Sequence, residues 1–283
     1  MKKKKLLIIG KNSFLAKNLY TTLKNKIYIR ILSLEDFRRL DKKSIKKYTH
    51  ICNFSITPKY IKFKYKKKND IDLEISKKIQ KFNINYIFIS TRKIYQNKKN
   101  IKESGTKMPR CNYSKNKLIT ENKIIELFPK NFTILRVSNV LGLKDKSFRK
   151  THVSFIDNYI KYLFSNKKIY YVDDYKDFIT IKQFIKLFYL IFIKNIKGTY
   201  NVSLGKKIYI STLLNWLNFK NMNDKFLIKK NVALKDSFTL NNSKLLRILK
   251  ITIKKSEVKH FCELMGKNIY FKKLMFNKIL KKI

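Results

Sequence analysis

The chain has 283 residues, enough to bury a sizeable core as one large domain or as a main domain with a smaller partner. Hydrophobic residues at 44% and aromatic residues at 14% exclude a disordered tail. The formal charge of +49 invites a polyanion-binding reading, yet only 8 of the 67 basic residues are Arg, and the 59 Lys spread along the whole chain. With only two alanines, Ala16 and Ala233, this is the composition an AT-rich genome writes onto any fold, and the lysines read as a solvated surface. Such a field still draws anionic substrates such as nucleotide diphosphates.

Cys52, Cys111 and Cys262 form no CxxC pair and no even framework, which fits a reduced, cytoplasmic setting. The apolar run Leu6 to Ile9 is too short for a secretory leader, and Leu187 to Ile193 is far below a membrane span, so no membrane insertion is expected.

In chain order, Leu6-Leu-Ile-Ile-Gly10 reads as a buried parallel strand ending at a glycine turn. The next segment places Phe14, Leu15, Leu19 and Leu23 at helical spacing. Strand, glycine turn and helix open a dinucleotide-binding fold, where the helix N-terminus offers N–H groups and a positive dipole end to a pyrophosphate. Gly10, Asn12, Ser13, Phe14 and Leu15 are the candidates for that contact, with Ser13 and Ala16 standing where the fingerprint has glycine. Ile27 to Leu34 reads as a second strand. Ser33 at its end is a candidate cofactor contact. Glu35 and Asp36 suit a ribose hydroxyl and Arg38 and Arg39 a 2′-phosphate, so NAD and NADP both stay open. Ile51 to Ile56 reads as a strand carrying Asn53, Phe54 and Ser55 to the cofactor, and Asp70 to Phe82 as an amphipathic helix with Ile71, Ile75 and Ile79 on one face.

Tyr86 to Ser90 is the next strand, ending in Ser90-Thr91. Phe132 to Val137 is another, leading to Asn139; then come an apolar helix, Phe184 to Ile193, and a last strand, Gly198 to Val202. Residues 143–171 lack a glycine turn and are read as partly substrate-facing, and from Ser211 two or three helices follow. The alternation argues for a Rossmann-like α/β fold, a doubly wound parallel sheet with a smaller, mainly helical C-terminal part. The dinucleotide domain is expected over 1–142, rejoined by about 173–203, with 143–172 and 204–283 holding substrate.

Tyr-x-x-x-Lys occurs four times, at Tyr20, Tyr60, Tyr95 and Tyr113, so spacing alone selects nothing. Context selects Tyr113 and Lys117, which open a helical run 22 residues after Thr91. Four apart on a helix, they share a face. A phenol is a poor base at neutral pH, and a nearby ammonium lowers its pKa by favouring phenolate. A hydroxyl such as Thr91 then steadies the oxygen that gains or loses the proton. His50, His152 and His260 have no metal-ligand spacing, so no metal is expected. Cys111 reads as a passive small residue and Asp173-Asp174 as solvated turn charge.

At these residues the chain resembles the extended short-chain dehydrogenase/reductase superfamily, in its nucleotide-sugar epimerase, dehydratase and reductase branch. ISTRKIYQ is similar to the family's Ser-Ser/Thr-x-x-Val-Tyr segment, YSKNKLITE to its Tyr-x-x-x-Lys helix, LRVSNVLG to its Arg-x-x-Asn-x-x-Gly segment and KDFI to its Arg-Asp-Phe segment. GTYNVS and LNNSKLLRIL are similar to elements nearer its C-terminus. Most of the chain is covered in the family's order, and the length, the Ser-Thr pair and the short 34–50 region resemble the dTDP-dehydrorhamnose reductase type. Lys176 replaces a family Arg, Lys182-Gln183 stand where an Asp is expected, and the short 34–50 region implies a missing strand or helix.

The resemblance implies Thr91, Tyr113 and Lys117 as catalytic residues, with Tyr113, Lys117 and Ser90 also at the cofactor. It implies Thr91, Asn139 and Lys176 at a nucleotide-sugar substrate. It further implies NAD or NADP as cofactor, a role in surface-polysaccharide sugar synthesis, and a homodimer with no specific nucleic acid. A non-catalytic dinucleotide-binding protein and a basic polyanion binder are the alternatives.

Overall fold

Leu6, Ile8, Cys52 and Ile87 point to one side of a sheet and Leu7, Ile9, Ile51, Tyr86 and Phe88 to the other, so these strands are buried on both faces. In the computed structural model, which describes residues 4–142, 155–165, 168–221, 227–231 and 236–280, six strands form one all-parallel sheet. Numbered along the chain, they are β1 (Lys5–Ile9), β2 (Tyr28–Leu32), β3 (His50–Asn53), β4 (Asn85–Thr91), β5 (Phe132–Val137) and, later, β10 (Gly198–Val202). The intervening β6 (Asn139–Leu141), β7 (Ile169–Tyr171), β8 (Tyr175–Lys176) and β9 (Phe178–Thr180) join β11 (Ile208–Tyr209) and β12 (Leu227–Lys229) in two-stranded pairs. The order in the large sheet is β10-β5-β4-β3-β1-β2. The chain leaves β1 in one direction for β2 and in the other for β3, which puts a topological switch point at their C-terminal ends.

One face is covered by α1 (Phe14–Leu23) and, beside it, α8 (Ile181–Lys194), through Ala16, Leu19, Phe184 and Phe188. Between β2 and β3 lie only α2 (Leu34–Arg39) and α3 (Lys42–Ile45), and α4 (Pro58–Lys62) follows β3. The other face is covered by α5 (Ile71–Ile79) and α6 (Asn112–Leu127), through Ile75, Ile79 and Ile124. A separate core joins α7 (Phe155–Phe164), α9 (Ile210–Leu217) and α11 (Lys255–Leu280) through Leu163, Leu213, Leu217, Val258 and Met265, while α10 (Ser243–Leu249) packs beside β10. Among the described residues no helix is long and apolar enough to cross a membrane.

Several element boundaries differ from the sequence expectation for local reasons. Strand β3 stops at Asn53, before Ile56, because the Asn53 amide closes a turn on itself: Ser55 N–H donates to Asn53 Oδ1 at 2.8 Å and Asn53 Nδ2 to the Ser55 carbonyl at 3.0 Å. Helix α8 begins three residues before Phe184, where Thr180 and Gln183 form a capping box. The short 34–50 region carries two brief helices and no strand, which leaves β2 at the sheet edge. Segment 143–171 holds α7 and β7, but residues 143–154 and 166–167 lie outside the described residues. Asp174 is buried rather than solvated and accepts the Asp236 N–H at 2.9 Å, while Asp173 accepts Ser211 N–H at 2.9 Å; the pair anchors two loops.

Candidate active site

Gly10 follows β1 with φ of +103°, and a Cβ there would lie 2.8 Å from the Ser55 nitrogen, so this turn admits only glycine. Ser13 needs no such freedom: it stands in extended conformation at φ −79° as the N-cap of α1, and Ala16 is fully buried behind it. The two lost glycines therefore carry no backbone penalty. The Ser13 side chain makes no capping bond, whereas α2, α3, α4, α5 and α8 are each capped by a side chain. An uncapped helix start at the switch point fits a pyrophosphate.

Around it the parallel strands deliver Ser33, Asn53, Phe54, Ser55, Ser90 and Thr91 to the same C-terminal edge of the sheet. Not all of these side chains are equally available. Ser33 caps α2 in a reciprocal box with Asp36, whose carboxylate lies 3.7 Å from Lys11. Arg38 is held by both oxygens of Glu74, at 2.7 and 2.8 Å. The Ser90 hydroxyl donates to Glu121.

Helix α6 starts at Asn112, with Cys111 as its N-cap, and so places Tyr113 and Lys117 on one face one turn apart. Tyr113 is half-buried, and the Thr91 side chain, which ends β4, lies close enough to favour its phenolate. Lys117 is buried, and its ammonium lies 3.4 Å from Asp72 Oδ2, 4.3 Å from the Phe88 ring centre and 5.8 Å from that of Tyr60. The structure thus brings the hydroxyl, phenol and ammonium together. Cys111 is exposed rather than packed as a small apolar residue; burial pushes its thiol up, but Ser114 hydrogen bonds and the Lys93 charge outweigh this and hold it below the ordinary value.

The electrostatics depart from the expectation of a simply activated phenol. Burial raises the Tyr113 pKa; Lys117 and the Thr91 side chain oppose it, Asp72 reinforces it, and the net direction is upward. Burial disfavours the Lys117 ammonium, but the Asp72 carboxylate, together with Tyr113 and Asp70, more than restores it, and Lys117 stays charged. Burial also lifts the Asp72 carboxyl above the usual range while Lys117 pulls it back. Because Asn53, Tyr86 and Lys117 all donate to Asp72, we read the pair as ammonium and carboxylate.

Asp72 is the residue the sequence reading missed. One signal was there: Asp72 and Ser76 sit four apart, one step around α5 from the Ile71–Ile75–Ile79 stripe, and both are buried.

The substrate candidates lie beyond β5. Thr91 pairs in register with Val137, two residues before Asn139, and Asn139 faces Phe178 across the β6–β9 pair. Lys176 lies two residues earlier, 3.0 Å from Asp236, which also takes Arg92 at 2.9 Å. The Arg92 guanidinium stacks 3.8 Å over the Phe238 ring. A bridge of charges thus links the residue after Thr91 to Lys176.

Solved structures share this architecture along nearly the whole chain. A UDP-N-acetylglucosamine 4-epimerase from Methanobrevibacter ruminantium M1, in complex with UDP-N-acetylmuramic acid, is similar at a TM-score of 0.77 and 18% identity, over 94% of this chain and 98% of that one. The chain has the fold of these enzymes. A dTDP-glucose 4,6-dehydratase from Bacillus anthracis in complex with NAD is similar at 0.73 and 12% identity, over 94% and 96%. A UDP-glucuronic acid 4-epimerase from Bacillus cereus in complex with NAD is similar at 0.71 and 16% identity, over 94% and 99%. The sequence itself matches no protein-family model and no curated protein.

Proposed function

We propose that the protein binds NAD or NADP and acts as a reductase or epimerase on a nucleotide-linked sugar. The observation that carries this reading is the convergence of Thr91, Tyr113 and Lys117 on the same C-terminal edge of the sheet as the uncapped start of α1. Residues 1–142 with about 173–203 would hold the dinucleotide, and 143–172 with 204–283 the sugar. The similar structures, which hold UDP-N-acetylmuramic acid or NAD, support the same ligand classes.

The α1 N-terminus and the Gly10 turn would receive the pyrophosphate, with Ser33 and Asn53 to Ser55 along the adenosine side. A bound dinucleotide supplies the centre that gives or takes hydride. Tyr113 then holds or releases the proton at the sugar hydroxyl or carbonyl oxygen, and Thr91 orients that oxygen. Lys117 contacts the cofactor ribose and, as a cation one helical turn away, favours the phenolate. Asn139 and Lys176 face the sugar and its phosphates.

Thermal unfolding in the presence of NAD⁺, NADH, NADP⁺ and NADPH in turn tests this. A ligand at about 100 times its Kd stabilises the native state by about 2.7 kcal/mol, so one redox pair is expected to raise the melting temperature clearly. No shift with any of the four would overturn the reading.

A further inference from the structure

Asp72 is placed where it can do more than neutralise a buried lysine. It lies in the first turn of α5, far in sequence from α6, and its two oxygens have separate partners. Oδ1 accepts the neutral donors, Tyr86 OH at 2.7 Å and Asn53 Nδ2 at 3.0 Å. Oδ2 faces Lys117 Nζ at 3.4 Å. Tyr86 and Asn53 come from neighbouring strands, so one half of the carboxylate is fixed to the sheet while the other half addresses the candidate site. The lysine, for its part, has aromatic rings on its other sides, and Asp72 is its only hydrogen-bond acceptor among the described residues.

We propose that Asp72 is a positioning residue that holds the Lys117 ammonium near Tyr113 and sets the pH at which the phenol exchanges its proton. The proposal deepens the reading of Tyr113 and Lys117 given above and rests on it. A fixed anion beside the cation offsets part of the field that would otherwise stabilise phenolate, so the site is tuned to keep Tyr113 protonated until cofactor and substrate arrive.

The charged and titratable groups around this centre are few. Tyr113 is faced by Lys117 and Cys111 from its own helix region, by Asp72 from α5 and by Tyr60 from α4. Lys117 is faced by Asp72 and Asp70. Asp72 is faced by Lys117, Asp70, and Tyr86 and Cys52 on the strands. Asp70 in turn is tied to Thr120 at 2.7 Å and Tyr65 at 2.9 Å. Tyr86 and Cys52 are themselves held protonated, burial being the main cause for each. The carboxylate at 72 is therefore the group whose removal changes the field at Tyr113 most simply.

The test uses the full chain labelled at tyrosine Cζ with carbon-13, followed by NMR from pH 7 to 11, with the Tyr113 resonance assigned by its loss in Tyr113→Phe. Asp72→Asn keeps the acceptor for Tyr86 and Asn53 and is expected to lower the Tyr113 ionisation midpoint by roughly one pH unit. Lys117→Gln, made separately, leaves Asp72 as the nearest charge and is expected to move the midpoint up. If Asp72 merely supports the fold, Asp72→Asn lowers the melting temperature and leaves the Tyr113 curve superimposed on wild type, which overturns the proposal. An unmoved curve in Lys117→Gln overturns it too, even if Asp72→Asn fails to fold. No dinucleotide enters the measurement, so a protein that binds none of the four cofactors can still show the shift, and the two ideas fail separately.

Discussion

Helix α6 carries two buried charges one turn apart, Lys117 and Glu121, and the sheet treats them differently. Glu121 is gripped by Arg136 of β5, with Nη2 at 2.7 Å and Nε at 3.2 Å from each oxygen, and Ser90 donates to it as well. The Arg136 Nη1 group donates to Tyr95 OH and the Glu103 carbonyl, both at 2.7 Å. Tyr95 passes the network on to Asn201 of β10. Lys117 has a longer contact, a single carboxylate oxygen and two ring faces. A saturated pair locks strands and helix together and leaves nothing for a ligand. An ammonium with donors to spare can turn towards one.

That contrast can be broken by substitution. The largest effect is expected at Arg136→Met, which strands Glu121 in the interior and should cost about 3–5 kcal/mol of unfolding free energy, read as a lower denaturant midpoint at unchanged slope. A loss below ~1 kcal/mol would mean that the two pairs are alike. Tyr113→Phe comes next: under the proposed function, turnover of a nucleotide sugar should fall at least about a hundredfold, with the melting temperature and any rise on adding dinucleotide both retained. Retained turnover would take the acid/base role from Tyr113. The smallest effect belongs to Arg38→Ala. Its pair with Glu74 has the same bidentate geometry as the sealed one, but both side chains are largely exposed, and a loss of only about 0.2–1 kcal/mol is expected. A larger loss there would show that geometry, and not burial, separates the sealed pair from the rest.

The architecture was legible because it rests on local chemistry. A continuous apolar run became β1, and β5 and β10 keep the expected bounds of Phe132–Val137 and Gly198–Val202. The Tyr113 helix was legible only through its distance from Thr91, since three other Tyr-x-x-x-Lys spacings compete with it. Buried charge was not legible. Asp174 reads as a turn residue and Asp72 draws no assignment, yet both are buried against partners far along the chain, Asp236 and Lys117. No window of ten or twenty residues contains that information. The net direction at Tyr113 was illegible for the same reason: the activating lysine is four residues away, while the opposing anion comes from another helix.

The sheet ends at β2, whose Tyr28 and Arg30 face solvent and whose outer side has no strand beside it among the described residues. An open strand edge is a template on which a second copy can add, and crowding makes that encounter frequent. Here exposed Lys24 and Lys26 lead into the strand, and the Lys5 ammonium lies 5.1 Å over the Tyr28 ring. Two molecules approaching through these edges meet like charge with like. The lysines that say nothing about the reaction thus act as a colloidal guard, one that weakens as salt shortens the reach of the charge.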